Sequence, residues 1–87
     1  MRNRNYQNDI MSEEFVNIPL TQSEALVLLD MLARINKTKN EALFEHDAER
    51  KILWKIETSL EKTVTDTFSP NYDELLAKAR QEINEAN

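Results

Sequence analysis

Glycine is missing from this chain altogether, and its absence removes several functions at once. The phosphate loop of P-loop proteins and the dinucleotide fingerprint need glycine where backbone approaches a phosphate. The nucleophile elbow of hydrolases needs it as well, and tight two-residue hairpins favour it strongly. β-Structure and nucleotide sites are therefore disfavoured together. Cysteine is also absent, which leaves no disulfide framework and no thiolate metal site and suits a reducing compartment. No apolar run approaches the roughly 20 residues of a membrane span. The polar start Met1-Arg2-Asn3-Arg4-Asn5 lacks the apolar stretch of a secretion signal. A cytoplasmic location without a membrane partner is the expectation.

Basic residues are outnumbered 16 to 11, for a net charge of -5. Sequence-independent nucleic-acid binding needs a basic face, so this balance disfavours it. Arg2 and Arg4 are the only local basic excess, and the acids are spread along the chain, as on a solvated surface. A chain of 87 residues suggests one domain with a marginal core. Self-association is a common remedy where disulfides and metals are lacking.

Residues 1–12 are polar and aperiodic and read as a flexible tail ahead of a single helical domain, 13–87. Phe15-Val16-Asn17-Ile18-Pro19-Leu20 has extended character, because proline biases the preceding Ile18 away from helix. It reads as a short strand or an extended arm. Thr21-Gln22-Ser23-Glu24 is a capping box. The helix that follows runs to about Ile35, and its apolar arc is far wider than the ~100° that one packed face needs. Such a helix is central or has more than one neighbour.

A second helix is expected from Asn40, or less favourably from near His46, to about Lys62. Ala48, Ile52, Leu53, Ile56, Leu60 and Val64 form its stripe at spacings of three and four. Glu49 falls inside that stripe, with Arg34 as the natural ionic partner. Trp54 projects from a different side. After the connector ending in Ser69-Pro70, a third helix starts at Asn71, with Glu74 as an approximate capping partner. Its stripe is Tyr72, Leu75, Leu76, Ala79 and Ile83, and the last residues from Asn84 should fray.

Chemistry is hard to find. His46 is the one histidine, and in Glu45-His46-Asp47-Ala48-Glu49 only His46 and Glu49 share a helical face. Two ligands fall short of the usual three or four, so a solvated histidine is the stronger reading. Glu57 and Glu61 sit among Lys51, Lys55 and Lys62 as a solvated face, not as a paired acid and base. No serine has a histidine or a glycine-rich turn nearby. Leu26, Val27, Met31 and Trp54 are the candidate interaction residues, because the first helix is apolar beyond one face and exposed tryptophans are enriched at binding hot spots.

Ile18-Pro19-Leu20-Thr21 leading into Glu24-Ala25-Leu26-Val27-Leu28-Leu29, then Leu53-Trp54 to Leu60-Glu61, then Pro70-Asn71-Tyr72-Asp73-Glu74-Leu75-Leu76, resembles a group of small bacterial helical proteins. They share a capped apolar helix, a tryptophan-bearing second helix and a short C-terminal helix after a proline. The resemblance implies an all-helical fold and a bacterial or phage setting, and carries over no activity or site residue.

The expectation is thus an all-α protein, a helical hairpin with a third short helix packed across it and an N-terminal extended arm. The expected function is a non-enzymatic protein–protein interaction module that self-associates as a homodimer. Inhibitor, immunity and antitoxin proteins are comparable in size and charge, an analogy only. No catalytic residue, metal site, cofactor or small-molecule substrate is expected. Two readings from other classes compete: a metal-binding or accessory enzyme subunit around His46 and Glu49, and a dimeric DNA-associated regulator with Arg2 and Arg4 as an arm.

Overall fold

The computed structural model describes residues 14–39 and 41–86. The expected tail, residues 1–12, with Arg2 and Arg4, lies outside the described residues. Three helices follow one another: α1 (Gln22–Lys37), α2 (Asp47–Thr63) and α3 (Tyr72–Ala86). Short 3-10 turns at Glu41–Leu43 and Asp66–Phe68 lie in the two connections. The fold is all-helical, with no strand among the described residues. Phe15–Leu20 forms neither helix nor strand.

Capping chemistry decides where each helix starts. The Thr21 hydroxyl accepts from the Glu24 amide at 3.1 Å, and the Glu24 carboxylate accepts from the Thr21 amide at 2.8 Å. Two amides that a helix start leaves unsatisfied are thereby paired. Thr21→Ala should cost about 1 kcal/mol, read as a melting temperature lowered by about 4–8 °C. An unchanged melting temperature would mean that packing alone sets the start of α1.

Helix α2 starts at Asp47, not at Asn40. His46 is its N-cap, with Nδ1 accepting from the Ala48 amide at 3.0 Å, and the Glu49 carboxylate reaches back to the Glu45 amide at 3.0 Å. Glu49 is therefore committed to the cap. Its expected partner Arg34 pairs instead with Asp30 one turn away, at 3.1 Å. The expected Asn71–Glu74 cap is also replaced: the Asn71 side-chain oxygen accepts from the Ser69 hydroxyl. At the other end α3 is helical to Ala86, with Gln81 donating to Glu85 and Ser23 of α1 donating to Glu82.

Helix α1 is central and packs against both α2 and α3. Ala25, Leu26 and Leu29 of α1 meet Leu76 and Ala79 of α3 and Val64 from the end of α2 in one buried cluster. Val27, Leu60, Tyr72 and Leu75 pack around it, half-buried. The wide apolar arc of α1 is thus explained by its having a neighbour on each side. Asp30 ties α1 to α3 as well. It accepts from the Tyr72 hydroxyl at 2.8 Å and lies 3.5 Å from the Arg80 guanidinium.

The α1–α2 pairing is staggered. Asn36, near the end of α1, donates to Glu57 in the middle of α2. Residues 47–56 of α2 consequently run on past α1 by about 15 Å, at 1.5 Å per residue. This overhang positions the candidate site.

Candidate functional site

Helix α2 contains no buried residue. Ile52 is 53% exposed, Trp54 51% and Ile56 38%, and Leu43 in the preceding turn is 54% exposed. Among the described residues, α1 is the helix that packs on α2, and it stops short of this overhanging half. Successive residues turn by about 100°, so Ile52 and Ile56 lie about 40° apart while Trp54 points to the opposite flank, about 160° from Ile52.

On the Ile52 flank, Leu43, Phe44, Ala48, Glu49, Ile52 and Leu53 line an open groove of about 470 Å³. The 3-10 turn forms one wall and the first turns of α2 form the other. The wall is fastened by Arg50, whose guanidinium lies 4.3 Å from the centre of the Phe44 ring and 3.4 Å from Glu41. A cation over an aromatic face is attracted by the ring quadrupole. The groove is apolar apart from Glu49, whose carboxylate is already paired with backbone.

The four residues expected to form an interaction surface separate. Leu26 is 2% exposed and belongs to the core, so it offers nothing to a partner. Val27 is half-buried against that core. Met31 and Trp54 are exposed. Tyr72 packs at the core and bonds Asp30. Leu43, Ile52 and Ile56 are exposed as well, although the spacing of Ile52 and Ile56 puts them on the apolar stripe of α2.

Among the described residues, titration is perturbed at one cluster, away from this surface. Burial pushes the Asp30 carboxyl up, but the Tyr72 hydroxyl, Arg34 and Arg80 outweigh that and hold it below its ordinary value. Burial, then the hydrogen bond to Asp30 and its charge, push the Tyr72 hydroxyl up to about 12. These groups pair with one another and none lines the groove, so they fasten α1 to α3.

His46 and Glu49 both serve the cap of α2. Among the described residues, no three His, Cys, Asp or Glu side chains stand close enough to hold a metal ion. No helix among the described residues is long and apolar enough to cross a membrane. Comparison with protein-family models, with curated proteins and with solved structures gives no match for this chain.

Proposed function

We propose that the chain is a non-enzymatic protein–protein interaction module that associates with a second copy of itself through the overhanging half of α2. One observation carries this reading: a helix of 17 residues in which no residue is buried, although its stripe is rich in isoleucine and leucine. Apolar side chains in that density gain about 25 cal/mol for each Å² removed from water. A symmetric pairing of two copies would cover the same patch on both. The lack of cysteine fits work in a reducing compartment such as the cytoplasm.

The test is solution mass by light scattering on the full chain and on Ile56→Glu. Ile56 is exposed, so the substitution should leave the far-ultraviolet circular dichroism unchanged. The expected result is a wild-type dimer and a folded Ile56→Glu monomer, with dimer affinity reduced by at least about tenfold. A wild-type chain that stays monomeric at high concentration would overturn the self-association reading.

A further inference from the structure

Where the second 3-10 turn joins α2 to α3, all three helices meet around a cavity of about 380 Å³. Helix α1 supplies Leu29, Asp30 and Ala33, which share one helical face at spacings of three and four. Glu61 comes from the last turn of α2, and Tyr72 from the first turn of α3. The connecting turn adds Thr67 and Phe68. The volume falls at the lower end of the range for small-molecule pockets. Leu29 is buried and makes an apolar floor, while Phe68 is 83% exposed at the rim. The fold thus leaves a large ring in water beside a concavity, and a ligand seated there would cover it.

The lining decides the class of ligand. Its two charged residues, Asp30 and Glu61, are both acids, and no lysine, arginine or histidine lines the cavity. Asp30 is already answered, by Arg34 and Arg80 at one oxygen and the Tyr72 hydroxyl at the other. Glu61 has no hydrogen-bond or ionic partner among the described residues. Its charge is left for a cation. The Tyr72 hydroxyl is engaged by Asp30, so the ring is what Tyr72 offers. Aromatic rings attract cations as well as apolar groups. Asp30 and Tyr72 are also the two groups of perturbed titration, and such groups gather at functional sites.

We propose that this cavity binds a small organic cation, an ammonium group on an apolar body, with Glu61 meeting the charge and Phe68 and Tyr72 contributing ring surface. The cavity shares no residue with the overhanging half of α2, so the inference stands apart from the self-association reading. Ile56→Glu, which tests that reading, should leave the cation affinity unchanged.

The test is calorimetric titration of the full chain with phenethylammonium, and with hydrocinnamate as an anion of similar shape. The cation should bind saturably and the anion should not. Glu61→Gln should weaken cation binding by about tenfold, and Phe68→Ala by about fivefold. Both side chains are exposed, so both variants should keep the wild-type circular dichroism. Glu74→Gln makes the same change of charge away from the cavity and should have no effect. Acetyl-lysine amide carries the same ammonium as a protein side chain would, and should bind more weakly than phenethylammonium because it brings no ring to Phe68.

Absence of saturable phenethylammonium binding would overturn the proposal. Equal binding of hydrocinnamate would do so too, as would equal effects of Glu61→Gln and Glu74→Gln. Tighter binding of the lysine derivative would overturn the free small molecule as the ligand.

Discussion

Leu29→Ala is expected to destabilise the chain by about 3–4 kcal/mol, enough to unfold much of the population at ambient temperature. Leu29 is 2% exposed and lies in the cluster where the three helices meet. Truncation there removes the transfer energy of three carbons and leaves a void that three short helices close poorly. Because α1 makes the main contacts with both other helices, loosening it releases both. Ile52→Ala, by contrast, removes an equally large side chain that is half in water, and should cost about 0.5 kcal/mol or less in the monomer. Urea denaturation of both variants, at a concentration where the chain is monomeric, decides the matter. Equal losses at Leu29 and Ile52 would contradict the placement of the core between α1 and α3.

Tyr72→Phe is expected to lower stability at neutral pH by about 1.5–2 kcal/mol, the range for a hydrogen bond to a charged group. The Tyr72 hydroxyl donates to Asp30 at 2.8 Å, and Arg34 and Arg80 approach the other oxygen of the same carboxylate. The pH dependence has a definite sign. Tyr72 is raised in the folded chain to about 12, so its contribution is complete below the ordinary tyrosine range, near 10. It is lost as pH climbs from there through about 12. Asp30 is lowered, so its contribution is present above the ordinary carboxylate range and disappears as pH falls through its folded value. Wild type and Tyr72→Phe should therefore be well separated at neutral pH and converge above about pH 10. Denaturant midpoints by circular dichroism between pH 7 and 12 test this. Two curves that stay parallel to the alkaline limit would sink it.

Much of the architecture was legible because it depends on local rules. The Thr21–Glu24 box marks the start of α1, and both of its bonds form. The over-wide apolar arc of α1 correctly announces a central helix. What was hidden depends on rotation and stagger. Ala48, Ile52, Ile56, Leu60 and Val64 are spaced by four, and each such step turns about 40° around the helix. From first to last the row swings by about 160°. Val64 reaches the core and Leu60 packs beside it, while Ile52 and Ile56 have turned into solvent. A stripe counted only by spacing looks like one face when it is a spiral. Arg34 and Glu49 were matched without the stagger, which sets Glu49 about 12 Å beyond the level of Asn36. The contacts of Asp30 were not legible either, because Tyr72 and Arg80, which meet it, come from a helix some forty residues away in sequence. Of the expected surface, Met31 and Trp54 are exposed and Leu26 is not. Leu26 has α3 to rest on.

The overhang of α2 separates two kinds of selection. Leu29, Leu76 and Ala79 answer to the stability of the fold. Ile52, Trp54 and Ile56 lie on residues from which the core asks nothing. Substitutions there leave the scaffold standing, so that stretch can drift, diversify or be redesigned toward a new binding preference while the rest of the chain is held fixed. A library randomised at Leu43, Ala48, Ile52, Trp54 and Ile56 would sample altered specificity with few members lost to misfolding, which makes this small helical chain a candidate scaffold for evolving binders.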